Sequence, residues 1–571
     1  MKKNDFVVRF AGEGGQGVVT SAEGLAQASS QVGYHSQTFA TFPSQILGGP
    51  TWTQTRVSTT EVLSSGDELD VLVAFNEDAY ESHKSDVGKT GVVIYNTGEF
   101  QLDIDGESFG MPFDDLAKST GNTRAANMIV IGALAYLVNM PQAIFEQFVT
   151  RRFTRGRPND AEIIKSNIKA LSLGREQAEK SGFSLGALVP PNKPDYEQIM
   201  VNGNVAIGLG ALSAGLDVYI GYPISPSTSL LIWMERNLSG PGKLAYQSSS
   251  EIESITSIIG AGYAGKKSMT GTAGPGFSLM SEGLGLAWMS EIPCVVTNVQ
   301  RGGPSTGLPT KTEQSDLLTA MFPGHGDVKL PVIAPGTIEE CFNAGIAAVN
   351  WAERYQGPVV LLSEMALSER QQNIPKPDVA NINPEIRKIY KGENGYQRYE
   401  GWELSPMPVP GTPGSYVANG SEHDGMGDTT HLPERHVQMT NRRFSKLKLL
   451  ENESYESVNP QFNICIMPWG GSKGPALEAY EKLIESGEKI SWLYTMFLNP
   501  LPTELLQLLK DKELVLVPEL NYMGQFSSIL RTYGVRAESI TQFTGLPFKV
   551  RDLCSRIVEK IKQHQQGRMP S

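Results

Sequence analysis

The chain has 571 residues and a formal net charge of -12 at pH 7, from 49 basic and 61 acidic side chains. This length predicts about three or four domains of ordinary size. The acidic balance, without any long Lys/Arg run, excludes a surface that tracks nucleic-acid phosphates. No apolar stretch approaches the roughly 20 residues that span a bilayer, so we expect a cytoplasmic protein with no membrane or nucleic-acid partner.

The first alternating pattern covers residues 1–187. Three short apolar runs, Phe6–Phe10, Val71–Phe75 and Gly91–Tyr95, are typical of buried strands, and Ala126–Val138 is apolar on nearly every face, which indicates a buried helix. Strands that alternate with helices predict an α/β domain with a parallel sheet.

Residues 188–198 contain three prolines, which cannot continue a helix, and are interpreted as a linker. A second alternating pattern over residues 199–370 predicts another α/β domain. Its expected strands are Val218–Gly221, Lys267–Thr272, Cys294–Val299 and Pro358–Leu362.

Residues 371–457 are rich in Gly, Pro and polar side chains, which predicts a long irregular loop and linker region. The basic cluster Arg442–Lys448 within it suggests a solvated helix face. A metal site is conceivable among several acids and histidines, but their spacing fits no tight motif, so a solvated loop without metal is favoured. These residues are His423, Asp424, Asp428, His431, Glu434 and His436. Residues 458–571 repeat the order strand, glycine turn and amphipathic helix, which predicts a third α/β domain.

The four cysteines, Cys294, Cys341, Cys465 and Cys554, lie far apart and form no C-x-x-C pair. A large acidic chain with this spacing does not suggest a disulfide framework, and an iron–sulfur cluster usually needs closely spaced thiolates. Four buried, inert thiols are expected.

A glycine-rich turn, formed by Gly12, Gly14, Gly15 and Gly17, follows the first strand and precedes a helical run. Such a G-x-G-x-x-G turn can present backbone N–H groups to a phosphate. A dinucleotide site would also need an acidic residue about 20 positions later, and His35–Ala40 supplies none. This leaves a different phosphorylated ligand, or a turn needed only for packing.

The motif GYPISPST follows the strand that ends at Gly221 and combines two prolines with three hydroxyl side chains. Because open α/β sheets bind ligands at the carboxyl ends of their strands, Tyr222, Pro223 and Ser225 are candidates for a ligand-binding loop. The same residues also suit the capped start of a helix, and both interpretations can hold together.

Glu251 and Glu253 begin a helix predicted over about Ile252–Gly265, which is small and apolar on most faces. Residues two apart do not share a helical face, so one of the two carboxyls is expected to be exposed. The other could share a proton with a heterocycle nitrogen. A glutamate near a helix start more often only compensates the helix dipole.

Arg301 follows the apolar strand Cys294–Val299 and could bind a carboxylate through two parallel hydrogen bonds. An exposed surface arginine is the alternative. The glycine-rich stretch Gly271–Gly276 (GTAGPG) follows another apolar strand in the same domain.

Together these motifs resemble one family along essentially the whole chain, the fused gamma–alpha subunits of 2-oxoacid:ferredoxin oxidoreductases. GEGGQG and DVLVAFNEDAY resemble the gamma module, and GYPISPSTSL resembles the family's Tyr-Pro-Ile-Thr-Pro-Ser motif, with Ser225 in place of its threonine. EIESITSIIGAGYAG resembles the pyrimidine-binding module of thiamine-diphosphate enzymes, in which the activating glutamate precedes a helix glycine by nine residues. Glu251 and Gly260 have this spacing, and Glu253 does not.

Further segments carry the same resemblance. VQRGGPSTGLPTKTEQSDL is similar to the family's substrate-side loop, GTPGSYVANGSEHDGMGD to a loop of its two-subunit enzymes, and residues 458–571 to a transketolase C-terminal domain. The implied architecture is three α/β domains: a gamma-type Rossmann-like domain (1–187), a pyrimidine-binding domain (199–370) and a transketolase C-terminal-like domain (458–571).

The resemblance also implies site residues. Glu251 would be catalytic and bind N1′ of the aminopyrimidine of thiamine diphosphate, with Thr272 and Gly274 as further cofactor contacts. A dicarboxylate substrate would need a second cation beside Arg301, and Lys311 in the same loop is the candidate. The implied substrate contacts are Tyr222, Pro223, Ser225, Arg301 and Lys311. The preferred ligand of the glycine turn is coenzyme A, through Gly12, Gly14, Gly15 and Gly17.

Two expected parts of the enzyme are missing from the sequence. It contains neither Gly-Asp-Gly, which typically opens the diphosphate half of a thiamine site, nor a set of cluster ligands. The resemblance therefore implies a separate beta subunit that holds Mg²⁺, the diphosphate and a [4Fe-4S] cluster. The active site would lie at the alpha–beta interface of an (alpha–beta)2 heterotetramer, with ferredoxin as electron acceptor.

The implied reaction is the oxidative decarboxylation of 2-oxoglutarate to succinyl-CoA and CO2, or its reverse, the reductive carboxylation of a reductive TCA cycle. The same chemistry on pyruvate or branched-chain 2-oxoacids is an alternative. A non-catalytic scaffold subunit and an NAD-linked dehydrogenase built on the glycine turn are two further alternatives.

Overall fold

The structure is a computed structural model that describes residues 2–42, 49–102, 107–401 and 404–567. Contacts divide it into two compact units: unit 1 comprises Met1–Val201 and Arg370–Lys376, and unit 2 comprises Asn202–Glu369 and Pro377–Ser571. Each unit combines helices with β-sheet, which confirms the predicted α/β class. The domain boundaries derived from the sequence stay predictions. No helix within the described ranges is long and apolar enough to cross a bilayer.

The strands before residue 202 are β1 (Lys2–Lys3), β2 (Asp5–Glu13), β3 (His35–Thr41), β4 (Pro50–Ser58), β5 (Leu69–Ala74), β6 (Val87–Asn96), β7 (Ser108–Met111), β8 (Ala187–Leu188) and β9 (Gln198–Val201). The helices before residue 202 are α1 (Val18–Gln31), α2 (Glu77–His83), α3 (Phe113–Ser119), α4 (Ala126–Leu137), α5 (Gln142–Phe153) and α6 (Asp160–Ser181).

The later strands are β10 (Val218–Gly221), β11 (Leu244–Gln247), β12 (Ser268–Thr272), β13 (Cys294–Gln300), β14 (Val332–Ile333), β15 (Pro358–Glu364), β16 (Gln372–Pro375), β17 (Glu456–Val458), β18 (Ile464–Ile466), β19 (Ser491–Tyr494), β20 (Phe497–Asn499), β21 (Leu514–Glu519) and β22 (Ala537–Thr541). The later helices are α7 (Gly203–Ser213), α8 (Thr228–Asn237), α9 (Glu251–Tyr263), α10 (Gly274–Leu279), α11 (Ser281–Met289), α12 (Leu317–Met321), α13 (Ile338–Tyr355), α14 (Met365–Ser368), α15 (Pro433–Ser445), α16 (Lys473–Glu485), α17 (Thr503–Asp511), α18 (Gln525–Thr532) and α19 (Val550–Gln565).

Unit 1 contains an eight-stranded mixed sheet in the order β7-β6-β5-β2-β4-β3-β16-β9. The three apolar runs predicted as strands correspond to β2, β5 and β6, which pair in parallel, although β5 ends one residue before the predicted run does. The prediction of a parallel sheet is wrong beyond β2, because β4 runs antiparallel to both of its neighbours. The strands β3 and β4 consist mostly of polar residues, although most of these residues are buried, so a search for apolar runs does not reveal them.

The buried helix predicted in unit 1 is confirmed as α4, which crosses α6 at backbone contact. A Cβ atom at Gly132 of α4 would fall on the carbonyl oxygen of Leu171, and one at Gly174 of α6 would fall on that of Ile129. Only glycine fits at either position, and the two helix axes lie correspondingly close.

Unit 2 contains a seven-stranded sheet in the order β11-β10-β12-β13-β15-β14-β20 and a five-stranded sheet in the order β17-β19-β18-β21-β22. The four strands predicted from apolar runs in residues 199–370 are confirmed as β10, β12, β13 and β15. Neighbouring members of this set pair in parallel. Their carboxyl ends therefore meet at one edge of the sheet, where ligands bind in open α/β folds.

The prediction of a solvated face at Arg442–Lys448 is wrong. Arg442 is fully buried and Arg443 and Lys446 nearly so. Arg442 Nε lies 2.9 Å from Glu291 Oε1, and Lys446 Nζ lies 2.9 Å from Glu291 Oε2. The acid lies about 150 residues earlier in the chain, so the local basic pattern could not reveal that these charges are paired inside the unit.

The buried Glu291 carboxylate is held in its charged form by its neighbours. Burial alone would raise its pKa, but the charges of Lys446, Arg442 and Arg398 outweigh burial, so its pKa lies far below the ordinary value. Burial lowers the pKa of Lys446 to about 8, although the negative charge of Glu291 acts in the opposite direction. The cluster joins the end of α11 to α15 and to the irregular segment that precedes α15.

Two other expectations need correction. His423 is fully buried rather than solvated, and its Nδ1 lies 2.8 Å from the Ser421 carbonyl oxygen. In the described ranges, no group of three or more His, Cys, Asp or Glu side chains is arranged to hold a metal ion. None of the four cysteines forms a disulfide, and Cys554 is only partly buried rather than buried as expected. Burial raises the pKa of Cys294 and of Cys465 to about 12.

Candidate active site

The candidate site lies at the carboxyl edge of the seven-stranded sheet in unit 2. The loops that follow β10, β12 and β13 begin at Tyr222, Ala273 and Arg301. The helix α9 follows the edge strand β11, and the Ser248 N–H donates to the Gly221 carbonyl oxygen over 2.9 Å, which ties the approach to α9 to the end of β10. The parallel strands thus bring four loops of distant sequence to one place.

The start of α9 assigns different roles to its two glutamates. The Ser250 hydroxyl accepts a hydrogen bond from the Glu253 N–H over 3.1 Å, and the Glu253 carboxylate accepts one from the Ser249 N–H over 2.7 Å. Glu253 thus contributes to capping the helix, and these Ser249 bonds lower its pKa. Glu251 points to the opposite side and is only 6% exposed, so the capping role falls to Glu253.

The Glu251 carboxylate lies beneath the first turn of α10. A Cβ atom at Gly276 would lie 2.5 Å from Glu251 Oε1 and would also overlap the Thr272 hydroxyl. Among the described residues, none donates a hydrogen bond to this buried carboxylate. Because no group in the described ranges donates to it, this carboxylate is an open acceptor for a heterocycle that presents a ring N–H. The residues fit an aminopyrimidine such as that of thiamine diphosphate, whose ring N–H Glu251 could accept, and Gly276 leaves the space that the Glu251 carboxylate occupies.

Arg301 lies on the other side of α10 and is 8% exposed. Its Nη1 donates to the Ser225 carbonyl oxygen over 2.7 Å, which links the loops after β10 and β13. Burial lowers the pKa of Arg301, and the charge of Asp316 opposes this. Arg301 and Gly274 line a cavity of about 750 Å³, a space that can hold a small acid.

The other predicted substrate residues are only partly gathered there. Tyr222 and Ser225 are exposed and Pro223 is half-buried. All three belong to the loop after β10, which Arg301 contacts. Lys311 is joined to Gly302 through its backbone, since the Gly302 N–H donates to its carbonyl oxygen over 3.0 Å. The Lys311 side chain packs closely against Gly545. Lys311 is not among the residues that line the cavity.

Several residues of the cavity escaped the sequence analysis. Asp316 lines the cavity together with Arg301, and its Oδ2 accepts a hydrogen bond over 3.0 Å from Nδ2 of Asn298, which is not itself a lining residue. The C-terminal region adds three exposed apolar side chains to the cavity wall, Tyr522, Met523 and Phe543. The motif QSDL contains Asp316 and was the only available signal; nothing local to residues 521–543 marks them as neighbours of Arg301.

The glycine turn in unit 1 has the local geometry of a phosphate-binding loop. Gly15 and Gly17 have φ angles of +100° and +87°, which favour glycine, and α1 begins directly afterwards. A Cβ of Gly17 would contact Asn127, which lines a cavity of about 790 Å³ in the same unit. This cavity is rich in cations, which the sequence analysis missed because they lie on α6 and two loops: Arg124, Arg155, Arg157, Lys165 and Lys169.

Two models of known protein families match this chain. Residues 209–442 match the family model described as pyruvate flavodoxin/ferredoxin oxidoreductase, thiamine diP-bdg. Residues 7–177 match the model described as pyruvate ferredoxin/flavodoxin oxidoreductase. The first match contains Glu251 and Arg301, and the second contains the glycine turn.

Similar proteins cover nearly the whole chain. The 2-oxoglutarate oxidoreductase subunit KorA of Mycobacterium tuberculosis is 32% identical over 95% of this chain and 89% of its own length. The 2-oxoacid:ferredoxin oxidoreductase 1 subunit alpha of Aeropyrum pernix is 29% identical over 98% of both chains. The solved 2-oxoglutarate:ferredoxin oxidoreductase of Magnetococcus marinus, with 2-oxoglutarate, coenzyme A and succinyl-CoA bound, superposes with a TM-score of 0.92 at 35% identity, over 98% of this chain and 100% of that chain. This chain therefore belongs to the family of 2-oxoacid:ferredoxin oxidoreductase alpha subunits.

Proposed function

We propose that the chain is the alpha subunit of a thiamine-diphosphate-dependent enzyme that decarboxylates 2-oxoglutarate to succinyl-CoA and CO2 and passes the electrons to ferredoxin, or runs the reverse reaction. The observation that carries the proposal is the buried Glu251 carboxylate, which lies under Gly276 with no donor among the described residues. When bound, thiamine diphosphate supplies the electron sink for decarboxylation. The role of Glu251 is to hold a proton at N1′ of the aminopyrimidine.

Other side chains of unit 2 would bind and orient the substrate. We assign the carboxylate next to the reacting carbonyl to Arg301, whose guanidinium lines the cavity. Tyr222, Pro223 and Ser225 would form the opposite wall, and Thr272 and Gly274 would contact the cofactor. Lys311 is proposed to reach the distal carboxylate of a dicarboxylic acid. Burial lowers the pKa of Lys311, and a second carboxylate would favour its charged form.

The rest of the machinery is proposed to lie on a beta subunit, in an (alpha–beta)2 assembly in the cytoplasm. The sequence offers no Gly-Asp-Gly and no set of cluster ligands. We therefore assign the Mg²⁺, the diphosphate half of the site and a [4Fe-4S] cluster to that partner. Alpha alone is then expected to be inactive.

Substrate preference tests the proposed function most directly. The co-purified alpha–beta enzyme is expected to reduce a viologen dye faster with 2-oxoglutarate than with pyruvate or a branched-chain 2-oxoacid, in a reaction that requires coenzyme A. Lys311→Gln should raise KM for 2-oxoglutarate about tenfold, in line with the loss of one charge-assisted hydrogen bond of about 1.5 kcal/mol, and leave pyruvate unaffected. Equal effects on both acids would contradict the role of Lys311, and no turnover of any 2-oxoacid would contradict the proposed function.

Gly276→Ala tests the close contact above Glu251. The added methyl group would overlap Glu251 and Thr272, so we expect cofactor binding to weaken at least tenfold, measured by thiamine diphosphate titration of the apoenzyme. Gly285→Ala in α11 is the matched control, because a Cβ there meets no atom within 4 Å. Unchanged cofactor affinity in Gly276→Ala would show that the pyrimidine lies elsewhere.

Coenzyme A is proposed to bind at Gly12, Gly14, Gly15 and Gly17, with its phosphates toward the cations of the neighbouring cavity. Gly15→Asp would place a carboxylate at the turn, and we expect KM for coenzyme A to rise at least tenfold with KM for the 2-oxoacid unchanged. Gly182→Asp is the control, because it shares the positive φ and the open surroundings of Gly15 but caps the end of α6. Equal coenzyme A kinetics in the two variants would refute this assignment.

A further inference from the structure

The cavity beside Arg301 contains a carboxyl group with no role so far, that of Asp316. Its backbone N–H donates to Gln300 Oε1 over 3.0 Å, and its Oδ2 accepts from Asn298 Nδ2 over 3.0 Å. A Cβ at Gly274 would lie 2.8 Å from the same Oδ2. The Asp316 backbone and carboxyl group are thus each held by one hydrogen bond, and the carboxyl group packs against the first residue of α10 in the wall that Arg301 shares.

The charges around this carboxyl group are unbalanced. Arg301 is the one cation among the described residues that line the cavity, and the acids are Asp316 and Glu313. Helices α10 and α12 present neutral groups there, including Ser278 and Thr319, and the C-terminal region presents the phenol of Tyr522. Glu251 adds a further acid against Gly276 of α10. A substrate carboxylate that binds Arg301 therefore brings another negative charge toward Asp316.

We propose that Asp316 is a positioning residue that takes up a proton when an anionic substrate binds at Arg301. The inference rests on the proposed function, because it requires a 2-oxoacid in this cavity. Neutral Asp316 removes the repulsion toward the substrate carboxylate at Arg301 while retaining an oxygen to accept from Asn298. Burial raises the pKa of Asp316, opposed by the Asn298 hydrogen bond and the charge of Arg301, and a substrate carboxylate in contact with Arg301 raises it further.

The direction of the pH dependence follows from proton uptake. If the complex holds one proton more than the free enzyme, affinity for the acid falls as pH rises, by at most about tenfold per pH unit. The change is confined to the window between the pKa of Asp316 in the free enzyme and its higher pKa in the complex. Burial also raises the pKa of Glu313, to which the charge of Asp316 contributes, so Glu313 is the competing candidate and needs its own variant.

The test uses the alpha–beta holoenzyme and 2-oxoglutarate over the acidic to neutral pH range. In the wild type, KM for the acid is expected to rise with pH, whereas in Asp316→Asn it should be low and independent of pH. Glu313→Gln should keep the wild-type slope. A slope retained in Asp316→Asn, or a flat wild-type profile, would overturn the proposal. Turnover of the wild type in the same assay keeps this result separate from a failure of the proposed function, in which no 2-oxoacid would react.

A merely structural role of Asp316 predicts another outcome. Loss of packing would lower kcat or the amount of folded protein without changing the slope of KM against pH. Asp316→Glu provides a second check, because it restores the titrating group and should restore the slope even if its longer side chain lowers kcat. If Asp316→Asn does not fold, a flat profile in Asp316→Glu would still contradict the proposal.

Discussion

Glu251→Gln in the alpha–beta enzyme is expected to lower kcat by about 10²–10⁴, the usual contribution of a positioned acid or base. The substitution preserves shape and burial but replaces a charged acceptor with an amide. Because the described surroundings donate no hydrogen bond to Glu251, the substitution breaks no hydrogen bond within the protein. The expected loss of turnover therefore comes from the missing proton exchange between the carboxylate and the cofactor ring. Viologen reduction at saturating thiamine diphosphate measures kcat, and cofactor titration measures binding separately.

Glu253→Gln is the matched control for this loss. It lies two residues further along α9, but its carboxylate accepts from Ser249 at the helix start. We expect nearly unchanged kcat and slightly reduced thermal stability, typical of a weakened helix cap. If Glu251→Gln retained more than a tenth of wild-type turnover, or if Glu253→Gln were the inactive variant, the assignment of Glu251 would be wrong. A scaffold subunit would tolerate both substitutions.

Glu291→Gln is expected to destabilise the chain by about 3–5 kcal/mol, the usual effect of removing one partner of a buried ion pair. The substitution leaves the buried cations Arg442 and Lys446 without their carboxylate, and Arg398 contributes a further positive charge nearby. The free energy of unfolding of unit 2, from the urea transition followed by tryptophan fluorescence, is the measurement. A fall in stability without a change in kcat per folded enzyme is the expected pattern.

The control for this variant is Glu282→Gln. Glu282 lies in α11, a few residues before Glu291, but its side chain is largely solvent-exposed. Surface charges of this kind contribute about 0–1 kcal/mol, so the urea midpoint should barely move. Similar midpoints for the two variants would mean that the buried cluster stabilises the unit no more than a surface pair does.

The sequence was informative where a structural property is local. Apolar runs located β10, β12, β13 and β15, and the spacing from Glu251 to Gly260 selected one of two neighbouring glutamates. The structure places that glutamate inside the unit, while Glu253 caps α9. The catalytic role of Glu251 stays a prediction. Which of the two glutamates is available for helix capping is decided locally, because Glu253 bonds to Ser249, only four residues away.

The properties that were missed depend on distant parts of the chain. Asp316 meets Asn298 and Gly274 only because parallel strands bring their ends together. The pairing of Arg442 with Glu291 crosses about 150 residues, and neither partner carries a local sign of burial. The antiparallel strand β4 was missed for a different reason, since its residues are mostly polar and form no continuous apolar run.

The thiols have a practical consequence for spectroscopy. Cys294, Cys341 and Cys465 are buried, and high pKa values keep the first and third as unreactive thiols, whereas Cys554 on α19 is partly accessible. Because alkylation requires an accessible thiolate, a maleimide dye should attach first at Cys554, without any engineered cysteine. A fluorophore at that position would report local changes around α19 from a single site, without any substitution in the chain.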